Sequence, residues 1–135
     1  MTEAQQPAAA GRRRHSELRS RTVQAGGLLF LAAIRGYEPE TRALDPDTRV
    51  QARHAFDTLK SILADAGATL EDVVKITVYL HDVAYGEPLM EVWGEYFTQN
   101  QPARTIVQVA NANPSVRPED YQAHFALDVI ASAPR

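Results

Sequence analysis

Apolar residues at Ala52, Ala55, Phe56, Leu59, Ile62, Leu63 and Ala66 step by three, one, three, three, one and three, the spacing of one helical face. Asp45 is placed to cap this helix, Pro46 suits its first position and Asp47 favours its positive end, while Gly67 ends it. Upstream, TVQA and LLFLAA flank Gly26-Gly27, which reads as two strands joined by a tight hairpin turn. Thr69 and Asp72 are spaced as a short capping turn before VVKITVYL, a β-branched run too short for an ordinary helix and read as the central strand. Leu89, Val92, Trp93, Tyr96 and Phe97 repeat the helical spacing and stop before Pro102. TIVQV and HFALDVIA are the last two strands, separated by a Pro-containing loop from Asn111 to Asp120.

The predicted order is β-β-α-β-α-β-β, an α/β (α+β) domain with a mixed sheet and both helices on one face. In VVKITVYL, Val74, Ile76, Val78 and Leu80 are expected to point one way and Val73, Thr77 and Tyr79 the other. Two helices cannot cover both sides of such a sheet, so the uncovered face is expected to meet copies of itself in a homo-oligomer.

Residues 1–15, MTEAQQPAAAGRRRH, have no apolar period and read as a disordered tail, which leaves 16–135 as a single domain. No hydrophobic stretch follows Arg12, Arg13 and Arg14 to make a signal peptide, and the apolar run Leu28 to Ile34 is far shorter than a membrane span. A soluble, cytoplasmic protein with no membrane partner is expected. Its 135 residues suit one core, and a net charge of −3 gives no electrostatic reason to bind nucleic acid. The chain has no cysteine, which removes disulfides, thiolate metal sites and a thiol nucleophile. His15, His54, His81 and Asp82 miss the usual metal-ligand spacings, and neither a phosphate-binding glycine loop nor a serine nucleophile elbow is present. No metal and no cofactor are expected.

The segments QAGGLLFLAAIRG, RVQARHAFDTLKSILADAG, VVKITVYLHD, EVWGEYFTQNQPARTIVQV and YQAHFALDVIA, in that order, resemble the Rid (YjgF) family over about Arg19 to Ala131. The most specific element is Pro102-Ala103-Arg104-Thr105 opening a strand after the second helix. The resemblance implies a chorismate-mutase-like fold, a homotrimer with ligand sites between subunits, and hydrolysis of 2-imino or enamine acids to keto acids and ammonia without a cofactor. It also implies that Arg104 holds the substrate carboxylate, a role suited to a planar guanidinium that stays charged and offers paired donors.

Where relatives carry a water-positioning acid in the last strand this chain has Ala126, with Asp128 two residues on. A Ser-Gly-Gln turn of relatives is Ala32-Ala33-Ile34 here, an asparagine is Met90, and a first-strand tyrosine is Thr22. Ala32, Ile34, Met90 and Ala126 are thus the expected apolar lining around Arg104. Strand alternation puts His124 on the face of Ala126 and Asp128, which makes His124 the candidate acid–base catalyst; the bland alternative is a strand-end histidine bonded to a neighbour. Asp128 is read as structural, and Glu91 as a solvated helix carboxylate that has a route to the site. The expected function is hydrolytic deamination of a small carboxylate-bearing imine or enamine, a 2-imino acid or aminomuconate-type substrate. The alternative is a non-catalytic carboxylate-binding or interaction protein on the same trimeric scaffold.

Overall fold

The computed structural model describes residues 13–17, 21–110 and 122–134. Its elements are β1 (Arg13–Glu17), β2 (Arg21–Ala25), β3 (Leu28–Ile34), α1 (Thr48–Asp65), β4 (Val73–Leu80), α2 (Gly86–Tyr96), β5 (Ala103–Gln108) and β6 (Phe125–Ser132). The six strands form one mixed α+β sheet in the order β1-β2-β3-β6-β4-β5. Only β4 and β5, joined through α2, run parallel.

Local chemistry sets the boundaries. Gly26 and Gly27, at φ 61° and 79°, make the β2–β3 turn that residues with a Cβ resist. The cap of α1 is Asp47, whose carboxylate accepts from the Arg49 N–H, rather than the expected Asp45; Asp45 instead accepts from the Asp47 N–H and shapes the approach. Thr69 and Asp72 form the expected capping box on a single 3-10 turn leading into β4.

Both helices pack on one face of the sheet. Phe56 of α1 lies at their junction, edge-on to Trp93 and Phe97 and 5.2 Å from the Tyr96 ring. Leu29, Leu31 and Ile34 of β3, Phe125, Leu127 and Val129 of β6, and alternate residues of β4 close the core beneath them. In β4 the expected alternation fails at its first step. A register shift between Val73 and Lys75 turns Val73 into the core, 4% exposed, and leaves Val74 46% exposed. A bulge adds one residue and so inverts the faces before it, which hydrophobicity alone does not reveal when two valines are adjacent. On the sheet's other face, Phe30 and Val107 are both 40% exposed, and no described helix covers them.

Strand β1 begins inside the stretch read from sequence as a tail; residues 1–12, the remainder of that stretch, and the loop 111–121 lie outside the described residues.

Candidate functional site

Arg104 stands at the second residue of β5, the edge strand, in register with Ile76 of β4. Its guanidinium lies over the Trp93 ring, 5.2 Å from the centroid, which fixes its side of the sheet as that of the helices. Trp93 is buried, and its indole N–H donates to Gln101 Oε1 at 2.9 Å. Gln101 Nε2 in turn donates to the backbone carbonyl of Phe97, the residue that ends α2. Arg104 itself is exposed and makes no salt bridge among the described residues.

His124 is elsewhere. Strand β6 starts one residue later, at Phe125, and the His124 ring is engaged by the start of α1 and by Tyr85. Its Nδ1 is 2.7 Å from Thr48 Oγ1 at the start of α1, and its ring stacks on Tyr85 with centroids 3.8 Å apart and planes 4° apart. Its backbone N–H donates to Gln51 Oε1 at 2.9 Å, and its carbonyl accepts from the His81 N–H at 3.0 Å. The buried Gln51 also donates through Nε2 to the carbonyls of Asp45 and Gln122, tying the segment before α1 to the segment before β6. Gly36 is needed beside it, because a Cβ there would lie 2.3 Å from the Gln51 carbonyl oxygen. Between the joined segments is an open cavity of about 450 Å³, framed by Leu44 and Pro46, by His81, Asp82 and Tyr85, and by Gln122, Ala123 and His124.

Burial lowers the pKa of both histidines here; Arg35 and His124 lower that of His81 further, and Asp47 works in the opposite direction on His124. Both imidazoles are therefore neutral at pH 7. In the unfolded chain they bind protons below about pH 6.5, whereas the folded chain resists protonation there. Stability is accordingly level above about pH 6.5 and falls below it, with uptake of up to two protons on unfolding. Melting temperatures from pH 8 to 5 check this, and His81→Gln with His124→Gln should flatten the slope; an unchanged slope in the double variant removes these histidines as its source.

The remaining expected residues divide between the two faces. Ala126, in register with Tyr79, and the exposed Ala32 face away from the helices. Ile34 is fully buried in the core, Met90 is half-buried on α2 against the core, and Thr22 is buried with an unpartnered hydroxyl. Asp128 holds the Tyr79 phenol above its ordinary pKa, first by its charge, with burial and a hydrogen bond adding to it. Glu91 is engaged by Arg49 in two hydrogen bonds at 2.8 and 3.0 Å, which lower its pKa. Within one chain, then, nothing gathers Arg104, His124 and Ala126 around a common point. Five residues of β4 separate the level of Arg104 from His81, about 16 Å along the strand.

The Endoribonuclease L-PSP family profile matches residues 14–119. The chain belongs to the Rid (YjgF) family. A Rid relative, a RutC family protein of Pyrococcus abyssi, is 38% identical over 92 residues, 67% of this chain and 72% of that protein. The 3-aminoacrylate deaminase RutC of Acinetobacter baylyi is 40% identical over 68 residues, 50% of this chain and 54% of that enzyme. Among solved structures, a RidA from an Antarctic Psychrobacter superposes with a TM-score of 0.72 at 32% identity, covering 82% of this chain and 85% of that one. The Rid family thus includes deaminases, and its fold is the one found here.

Sequence reasoning missed three residues around the Rid-like arginine and the histidine. Trp93 reads from its helical spacing only as core, and Gln101 gives no signal of its own although it stands beside the Pro-Ala-Arg segment. Gln51 carried a usable signal: an amide beside the apolar stripe of α1 has to find buried partners, and it finds three. Among the described residues no cluster of three or more His, Asp or Glu is arranged to hold a metal, and no helix is long and apolar enough to cross a membrane.

Proposed function

We propose that this chain hydrolyses a small carboxylate-bearing imine or enamine, a 2-imino acid or an aminomuconate-type dienamine, to the keto acid and ammonia at a site between subunits of a homotrimer. The observation that carries the reading is Arg104: an exposed guanidinium, backed by Trp93, with no salt bridge among the described residues. Its paired edge donors suit a carboxylate. Family membership and the resemblance to a 3-aminoacrylate deaminase support the chemistry. The net charge of −3 favours no polyanion, so it gives no support to the nuclease activity in the name of the family profile.

The reaction consumes only water. Water adds to the C=N carbon, a proton goes to nitrogen, and the carbinolamine collapses to C=O and ammonia; an enamine first takes a proton on carbon to become the imine. His124 is the assigned proton-transfer group. Thr48 engages Nδ1, which leaves Nε2 to exchange the proton, and the neutral ring at pH 7 suits a base that becomes an acid in the next step. A small imino acid is shorter than the gap between Arg104 and His124 of one chain, so in this reading they act together only when contributed by two copies. The uncovered sheet face with Phe30 and Val107, and the edge position of β5, favour such an assembly.

Light scattering should report about three times 14.9 kDa, and freshly generated 2-iminopropionate or 2-aminomuconate should release ammonia faster than in buffer. A micromolar monomer defeats the intersubunit site. Failure to accelerate either substrate leaves the second reading, a non-catalytic carboxylate binder, which Ala126 at the position of the relatives' acid favours.

A further inference from the structure

We propose that Trp93 and Gln101 are positioning residues for Arg104, setting the affinity of the site for carboxylates without taking part in proton transfer. The inference rests on the reading of Arg104 as the carboxylate anchor and adds what holds that anchor in place. An arginine on an exposed edge strand has many rotamers, whereas a two-pronged grip on a carboxylate needs the guanidinium plane in one orientation. Most arginines are oriented by an acidic neighbour, but an acid takes the same edge N–H groups that a substrate carboxylate needs. An aromatic ring instead takes the face of the guanidinium and leaves its edge donors free. Trp93 offers such a ring to Arg104, whose guanidinium carbon lies over it, 5.2 Å from the centroid.

The ring is itself fixed. Phe56 and Phe97 pack against it, at 6.0 and 4.9 Å between centroids. Gln101 accepts the indole N–H and donates to the Phe97 carbonyl. Gln101 precedes Arg104 by three residues, so one amide orients the indole and also fastens the chain leading into β5 to the end of α2. The indole plane and the arginine backbone are thereby referenced to the same point.

Trp93 is the single tryptophan of the chain, so its fluorescence reports on Arg104 directly. Pyruvate, a stable 2-keto acid, is the probe: its binding, read by calorimetry and by Trp93 emission, needs no turnover. In the wild-type trimer pyruvate should change the emission. Trp93→Phe keeps an aromatic face and should weaken binding by about 3-fold, and Trp93→Leu by about 10-fold or more. The kcat at saturating imine should stay within about 2-fold in both. Gln101→Leu should weaken pyruvate binding and shift Trp93 emission, and Gln101→Glu, which retains the indole acceptor, should shift the emission less.

Wild-type pyruvate affinity in a folded Trp93→Leu trimer, or a fall in kcat with affinity unchanged, overturns the proposal. If Trp93→Leu does not fold, Gln101→Leu decides, since it leaves the aromatic packing in place, and unchanged affinity there overturns the proposal equally. Absence of any pyruvate binding by the wild type retires the anchor reading itself and this inference with it. Binding that depends on Arg104 but not on Trp93 or Gln101 retires only the inference.

Discussion

Co-expressing an Arg104→Ala chain with a His124→Ala chain should restore about a quarter of the wild-type sites, although each variant alone is nearly inactive. On the proposed reading, Arg104→Ala would remove two charge-assisted hydrogen bonds to the substrate carboxylate, with an expected loss of about 10²–10⁴ in kcat/KM. On the same reading, His124→Ala would remove the proton-transfer group, with an expected loss of about 10²–10⁴ in kcat and little change in carboxylate affinity. If each site takes its arginine from one subunit and its histidine from the next, a site works when the first is a His124→Ala chain and the second an Arg104→Ala chain. Random assembly from equal amounts gives half times half. Double purification of differently tagged chains removes the homotrimers, and each mixed trimer then holds one working site in three, so ammonia release from 2-iminopropionate by the purified mixed trimers should recover about a third of the wild-type rate. Mixed trimers with no more activity than the separate variants would show that these two residues do not share a site across subunits.

That experiment is required because a sequence names candidate residues without saying where they meet. The α1 stripe from Ala52 to Leu63, the paired glycines of the β2–β3 turn and the capping box at Thr69 are short-range signals, each decided by residues within one turn or one hairpin, and each is found as read. Arg104 at the junction of loop and strand was also legible, since Pro102 stops α2 from continuing and a strand must follow. What failed was parity. For His124, a face counted back from Ala126 says nothing of what the ring meets, and its partner Thr48 is 76 residues away. Val73 and Val74 exchanged roles through a bulge that costs one residue of register. A period of two has no tolerance for such shifts, whereas a helical stripe absorbs them.

Ala126→Glu is the test that turns the chain's departure from its relatives into a gain. Ala126 is 4% exposed, faces away from the helices in register with Tyr79, and has Asp128 two residues along on the same face. A carboxyl introduced there is desolvated and feels a neighbouring negative charge, and both effects raise its pKa from the usual ~4.3 toward neutrality, where a carboxylate is a stronger general base. Activity on 2-iminopropionate should therefore rise by about 10–100-fold, with an acid limb in the pH–rate profile displaced upward from that of an exposed glutamate. The burial has a cost of about 1–3 kcal/mol in stability, visible in urea unfolding. Adding His124→Ala to this variant separates two mechanisms. If the introduced carboxylate takes over proton transfer, the loss caused by His124→Ala shrinks well below its value in the wild-type background; if the two groups handle different protons, the loss stays the same. A folded, trimeric Ala126→Glu protein with no gain on any small imino acid would mean that this position does not face the reacting C=N bond, and the acid–base chemistry would then rest on the histidine end of the sheet alone.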